Sequence, residues 1–289
     1  MKTWSTPVRK IEKDSIPCAL CGGLKFKKAL ICEGFEYVRC RNCGLVQMNP
    51  QPLKEEIISR YSDKFGGEYL SYEIENEAAF LKLQQLALKD ASFFKLEKIF
   101  FLGDKDKPSV LDIGCATGTL LSFLRERGWR VTGVEISPSA EFARSEKKLD
   151  VKSLPLEENK FPAESFDAIL ASHLIEHLND PCSFLKEVNR VLKKDGLLFI
   201  TTPDISGFQA KIYKGRWRSA IFDHLYLFSK GTLKKMLIKH GFKIQKVRTW
   251  GGLAAGFNPV FIKRFADKAV KFLNNGDVMI IRARKDRDF

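Results

Sequence analysis

The sequence predicts an α/β protein in which a doubly wound, largely parallel sheet follows a small cysteine-rich module. Three observations carry this expectation. From residue 109 onward, short apolar runs alternate with amphipathic stretches, the pattern of buried strands joined by helical crossovers. The first of those runs leads into a glycine turn, Gly114 to Gly118, and four of the seven cysteines stand as two C-x-x-C pairs between residues 18 and 43.

Residues 15–50 are dense in Cys and Gly, lack periodicity and end in Asn49-Pro50-Gln51-Pro52, so residues 1–52 read as a small module without a core of its own, closed by a linker. Cys18 and Cys21 are separated from Cys40 and Cys43 by eighteen residues. Each pair can give two thiolates from one tight turn, which is zinc-ribbon spacing, with redox-active thiols as the alternative. A closed site of Cys18, Cys21, Cys40 and Cys43 has no open position for chemistry, so its expected role is folding and docking. Cys32 reads as a buried apolar residue. Residues 53–104 are helical in pattern, with Phe80, Leu83, Leu86, Leu88, Phe93, Leu96, Ile99 and Phe100 at helical spacings, and read as a cap or linker.

Residues 105–289 then form the sheet domain. Ser109–Ile113, Arg130–Glu135, Phe166–Ala171 and Gly196–Thr201 read as strands with helices between them, one of these running from Thr119 to Arg127. The helix after Asp180 has the clearest signals: Asp180 caps it, Pro181 suits its first position, Phe184, Leu185, Val188 and Leu192 share a face, and Lys193 and Lys194 close its last turn. A helix from Ser229 to His240 ends at Gly241, with His240 as a cap. A strand over Phe242–Trp250 and a final strand over Asp277–Arg284 flank a basic insertion, residues 251–275. There Phe257, Val260, Phe261, Phe265, Ala269 and Phe272 form one stripe and Lys263, Arg264, Lys268 and Lys271 crowd the rest. The insertion is expected to be a substrate lid for an anionic group such as the diphosphate of a nucleotide-linked sugar. A solvated helix or peripheral contact with an anionic membrane are the alternatives.

With 44% hydrophobic residues the composition excludes a disordered chain. Met1 to Asp14 holds no apolar leader-like run and no later run has membrane-spanning length, so a soluble, cytoplasmic protein is expected. An odd cysteine count argues against a secreted disulfide framework. The formal charge of +14 lies entirely in the last third: residues 205–289 hold 19 basic side chains against five Asp and no Glu. That excess suits nucleic acid, a phosphorylated small molecule or a membrane surface, and its sign alone does not choose.

Val110-Leu111-Asp112-Ile113-Gly114-Cys115-Ala116-Thr117-Gly118 is a strand, a glycine turn and the start of a helix, an arrangement that binds an extended nucleoside cofactor. The glycines do not follow G-x-G-x-x-G, which disfavours hydride transfer. Seventeen residues past Gly118, the strand Val131-Thr132-Gly133-Val134 ends in Glu135, where a carboxylate can take both hydroxyls of a ribose. At these residues, and over about 105–285, the chain resembles the class I S-adenosylmethionine-dependent methyltransferases. The resemblance implies a Rossmann-like, seven-stranded sheet. Asp112, Gly114 and Gly118 would line the methionine moiety and Glu135 would hold the ribose, with Cys115, Ile136 and Ser172 in the cofactor-binding set. The third strand, near Val151, lacks the acid that often meets the adenine amino group, which leaves Leu154 or Leu156 for the adenine. Phe161–Asp167, His173–Pro181, Asp195-Gly196 and His224–Ser229 are further similar to the branch that holds the ubiquinone-biosynthesis O-methyltransferases and many sugar and natural-product methylases.

His173, His177 and His224 all fall at the expected carboxyl edge of the sheet and are the candidate catalytic residues. His173-x-x-Glu176-His177 also matches a zinc-peptidase string, a reading rejected because the string follows the fourth strand of a methyltransferase-like core. Relatives carry a Glu/Glu/His metal set here, so a divalent ion at His173, Glu176 and His177 is a further expectation. An imidazole suits removal of a hydroxyl proton, which makes His173 or His224 the candidate base. Ala171-Ser172-His173-Leu174 stands where many amino-group methylases of nucleic acid have Asn-Pro-Pro-Tyr. The leading reading is therefore methylation of a small molecule at a hydroxyl of a sugar, quinol or natural-product intermediate. An RNA methyltransferase gripping phosphates with the ribbon and the basic third, a sugar C-methyltransferase and a degenerate scaffold are the alternatives.

Overall fold

The computed structural model describes residues 15–62, 64–102, 107–251, 268 and 270–289. It opens with three antiparallel strands, β1 (Phe26–Cys32), β2 (Phe35–Cys40) and β3 (Val46–Met48). Glu33 and Gly34 join the first two with φ of 51° and 85°, the left-handed pair that matches the twist of a tight hairpin. Helices α1 (Lys54–Ser62), α2 (Lys64–Asp90) and α3 (Phe93–Leu102) follow.

The second sheet and its crossovers run in the order β4 (Ser109–Ile113), α4 (Thr119–Glu126), β5 (Arg130–Val134), α5 (Ser139–Ser145), β6 (Val151–Lys152), β7 (Phe166–Ser172), α6 (Pro181–Val191), β8 (Leu192–Pro203), α7 (Phe208–Tyr213), β9 (Tyr226–Leu227), α8 (Lys230–Lys239), β10 (Phe242–Trp250) and β11 (Val278–Lys285). Seven of these strands lie in the order β10-β11-β8-β7-β4-β5-β6, parallel from β8 to β6 and antiparallel around β11. This is the expected doubly wound Rossmann-like sheet. The strand order reverses beside β4, so the carboxyl ends of β4, β5 and β7 open a crevice.

β9 belongs to the other sheet. Val46 pairs with Leu227 and Gln47 with Tyr226, which gives the order β1-β2-β3-β9. Tyr37, Leu45, Val46 and Met48 from the amino-terminal strands share one apolar cluster with Phe184, Leu185 and Val188 of α6 and Leu233, Met236 and Leu237 of α8. On the sheet's opposite face, fully buried Phe93 stacks on Trp129 and meets Phe199 edge-on, both ring pairs 5.3 Å apart.

Two sequence expectations are corrected. The helix capped by Asp180, whose carboxylate accepts from the Cys182 and Ser183 amides, ends at Val191. Lys193 and Lys194 therefore lie on β8 rather than in its last turn. The Ser165 amide donates to the Val191 carbonyl at 2.8 Å and draws the chain beside β7, and Lys193 pairs with Asp167 at 2.8 Å. The Gly196–Thr201 strand is thus longer at both ends. Most of the insertion, residues 252–267 and 269, lies outside the described residues, and with it all of the expected lid's stripe except Phe272, which is 89% exposed. At its end Lys271 pairs with Asp90 at 2.5 Å. Among the described residues no helix is long and apolar enough to cross a membrane.

Truncating Phe93 to Ala removes the ring that joins α3 to the sheet. It should cost about 3–5 kcal/mol of stability, read as a lowered urea midpoint at unchanged slope.

Candidate active site

β4 carries Asp112 to the crevice, and the chain turns at Gly114, whose amide donates to the Val134 carbonyl at 2.8 Å. Glu135, just past β5, is oriented by backbone. One carboxylate oxygen accepts from the Ala116 amide at 3.0 Å and the other from Ser137 at 2.9 Å. Each oxygen keeps a lone pair for a ribose hydroxyl. Asp112 is 1% exposed and its Oδ2 has no hydrogen-bond partner. Burial first, and Glu135 second, push its carboxyl up to about 8. An orphaned buried acid at the mouth of a glycine loop is the counterpart that the ammonium of a bound methionine moiety needs.

The glycines have distinct reasons. Gly118 has φ 74°, the left-handed region that favours glycine, and a Cβ there would crowd the Leu149 side chain at 2.4 Å and Ala143 of α5 at 3.2 Å. At Gly114 (φ 74°) a Cβ would rest in ordinary contact with Leu174 at 3.5 Å, so the left-handed backbone rather than crowding asks for glycine there. A Cβ on Gly133 would meet the Cys115 sulfur at 2.7 Å. The Cys115 side chain is thus turned into the core, and of the expected cofactor contacts it can offer backbone alone. Ile136 and Ser172 are half-buried beside the loop and at the end of β7. Leu156 is buried in the core while Leu154 is half exposed, so only Leu154 has surface to offer an adenine.

Sequence reasoning missed the acids of α2. The Ser139 hydroxyl donates to Glu73 at 2.5 Å, and Lys147 pairs with Glu77 while also donating to the Thr119 hydroxyl at 2.5 Å. Burial, reinforced by Glu135 and Glu77 against the Ser139 bond, pushes buried Glu73 up to about 7. The signal available was two acids one helical turn apart on a segment judged by its apolar residues.

The histidines gather beyond β7. His173 has φ 53°, a left-handed conformation costly for this residue type and characteristic of functional turns. Its amide donates to the Thr201 carbonyl at 2.8 Å, and its half-exposed ring stands 3.4 Å from Glu176. Glu176 is buried and accepts from the Thr202 hydroxyl at 2.9 Å through Oε2, while its Oε1 faces the His173 Nδ1. The His177 Nδ1 lies 3.1 Å from the Tyr61 hydroxyl, a partner the sequence gave no sign of. His224 stands edge-on to His177 at 4.6 Å and its Nδ1 is 2.8 Å from the Ser219 carbonyl. That acceptor places the proton on Nδ1 and the lone pair on Nε2.

Burial, then the neighbouring His177, brings the His224 imidazole down to about 3, so it is neutral near pH 7. Burial opposes ionisation of Glu176, but the hydrogen bond and charge of His173, followed by His177, outweigh it and bring the carboxyl down to about 2. Ligand-capable atoms of Glu176, His177 and His224 lie within 4.8 Å of one another. The compact trio therefore has His224 where the sequence suggested His173, which sits at its rim.

The cysteine sulfurs form a second cluster, all within 4.8 Å of one another, with Cys18 and Cys43 3.4 Å apart and Cys21 and Cys40 3.5 Å apart. Zinc–thiolate bonds of ~2.3 Å in a tetrahedron put sulfurs ~3.8 Å apart, so the donor set fits zinc.

Residues 87–247 match the model of a family described as a methyltransferase domain. The chain is 36% identical over 115 residues to a ubiquinone biosynthesis O-methyltransferase of Pelagibacter ubique, covering 36% of this chain and 48% of that protein. It is 38% identical over 104 residues to a pavine N-methyltransferase of Thalictrum flavum, covering 33% and 29%. It thus spans about half or less of the curated relatives it matches. In fold it is similar to S-adenosylmethionine-dependent methyltransferases from Archaeoglobus fulgidus (TM-score 0.53, 21% identity, 74% of this chain and 99% of that one) and Thermotoga maritima (TM-score 0.50, 23% identity, 74% and 97%).

If Asp112 receives the cofactor's ammonium, binding at pH 7 must ionise a carboxyl that is protonated up to about 8. Calorimetry in buffers of different ionisation enthalpy should then show net proton release, lost in Asp112→Asn. Glu135→Ala should weaken binding by about 1–3 kcal/mol through loss of charge-assisted hydrogen bonds, and an unchanged dissociation constant would remove it from the site.

Proposed function

The chain belongs to the class I S-adenosylmethionine-dependent methyltransferase family, and from that premise we propose that it methylates a small molecule at a hydroxyl. A sugar, a quinol and a natural-product intermediate are the acceptor classes. The observation that carries this reading is the buried, neutral His224, its Nδ1 engaged by the Ser219 carbonyl, placed beside His177 and Glu176 at the edge where β7 and β8 end. Bound S-adenosylmethionine supplies an activated methyl group on a sulfonium, held by Asp112, the Gly114 backbone and Glu135. The protein's remaining work is to place the acceptor oxygen in line and take its proton. His224 Nε2 accepts that proton as the oxygen–methyl bond forms and the sulfur–methyl bond breaks, and the Glu176 carboxylate offsets part of the burial that otherwise holds the imidazole low. Tyr61 fixes the His177 ring beside them.

Two further observations support a small acceptor over RNA. Of Phe26, Phe35 and Tyr37 in the ribbon, the last is fully buried and the other two are partly packed against the core, which leaves no exposed stack for bases among the ribbon's described residues. The buried acids around the loop also disfavour a polyanion. C-methylation of a sugar would use the same base on a C–H bond and differs only in the product. Cys18, Cys21, Cys40 and Cys43 hold one structural zinc in this reading.

Labelled S-adenosylmethionine, offered with small-molecule and RNA fractions of cell extract, tests the acceptor class: label in RNA overturns the proposal. His224→Ala should lower turnover about 10²- to 10⁴-fold with cofactor affinity unchanged. Metal analysis should find about one zinc per chain, lost in Cys18→Ser without loss of cofactor binding. A second equivalent of metal, lost in Glu176→Gln, would replace the base reading by metal-assisted ionisation at Glu176, His177 and His224.

A further inference from the structure

Tyr37 lies on β2, three residues before the zinc-ligand candidate Cys40, and is 0% exposed. Its hydroxyl does not serve the ribbon. It donates to the Ile221 carbonyl at 2.7 Å and is 2.9 Å from the carbonyl of His224 itself. Burial pushes the phenol well above its ordinary range, so it remains a donor.

The grip extends along the whole loop. The Cys32 thiol donates to the Ala220 carbonyl at 2.5 Å, the Phe35 and Phe222 rings lie 5.8 Å apart, and the Met48 amide donates to the Leu225 carbonyl at 2.8 Å. β3 then pairs with β9 directly after it. Residues 220–227, with His224 near their middle, thus receive a contact from each of the three ribbon strands. The turn between β2 and β3 is built on Cys40, whose amide donates to the Leu45 carbonyl at 2.9 Å and whose carbonyl accepts from Gly44 at 3.0 Å.

We infer that the amino-terminal sheet is a positioning device for the active-site histidine, with Tyr37 as the positioning residue that couples the cysteine cluster to His224. This rests on the proposed role of His224, but its geometric half can be tested apart from it. Cys18 and Cys43 tie one end of the sheet together; Tyr37 transmits the resulting register to the His224 backbone, and the Ser219 bond then orients the ring. Loss of metal loosens β2 and β3, and the histidine moves although nothing in the cofactor loop is touched.

The test compares wild type, Tyr37→Phe, Cys18→Ser and His224→Ala as full-length proteins. Tyr37→Phe keeps the buried ring and removes only the donor. The readouts are zinc content, the dissociation constant for S-adenosylmethionine, the imidazole NMR resonance that His224→Ala deletes, and turnover on the labelled small-molecule fraction. Tyr37→Phe should keep its zinc and cofactor affinity, shift the His224 resonance and slow turnover on the order of 10-fold, as misplacement of a reacting group does. Cys18→Ser, and chelation of wild type, should shift the same resonance. An unmoved resonance in Tyr37→Phe overturns the inference, even if turnover falls through lost stability. A shifted resonance together with a fully active His224→Ala overturns the base reading and leaves the coupling standing.

Discussion

Two residues, Tyr226 and Leu227, tie the amino-terminal strands to the methyltransferase edge. The histidine cluster leans on that short pairing and on the contacts around it, because the chain between α7 and α8 has little regular structure with which to hold itself. Its backbone groups must nonetheless be satisfied where they are buried. Strands β1 to β3 supply the partners: a phenol, a thiol, an amide and an edge. The parallel sheet creates the crevice, while the antiparallel one holds the segment that carries His224.

The electrostatics of the two sides differ. The chain as a whole carries +14, yet the cofactor loop is surrounded by Asp112, Glu135, Glu73 and Glu77, two of them buried and held partly protonated. A cationic ligand relieves this crowding, and an anionic one aggravates it. At the histidine cluster Glu176 is instead held ionised, by its hydrogen bond to His173 and the imidazoles around it. Net charge therefore said little about the site, which is set by a few desolvated groups.

What the sequence made legible was whatever depends on short spacings. The two C-x-x-C pairs, the Gly114–Gly118 turn, the Asp180 cap and the helix end at Gly241 all involve residues within a few positions of one another, where backbone geometry leaves few options. The reciprocal capping box of Ser229 with Thr232, equally local, went unread. The start of β8 was misread because Lys193 and Lys194 carry a helix-end signal, whereas the pairing with β7 that decides the matter lies nearly thirty residues away in sequence. Glu73, Tyr61 and Tyr37 escaped for the same reason. Each acts on a residue 66 to 187 positions distant, and no local pattern marks a tyrosine that will donate to a distant carbonyl. His224 over His177 was legible as a shared sheet edge, but the choice of His224 over His173 for the trio required the fold.

The packing of Cys115 into the gap beside Gly133 has a chemical consequence for the chain's thiols. Cys18, Cys32, Cys40 and Cys115 are buried, Cys43 and Cys182 are half-buried, and Cys21 alone is exposed. An alkylating reagent meeting the metal-free folded chain therefore finds Cys21 first, while Cys32 and Cys115, one closing the hairpin against Ala220 and the other filling the space under the glycine loop, react only when those regions open. The order in which the seven sulfurs become modified is a built-in record of which half of the molecule has loosened.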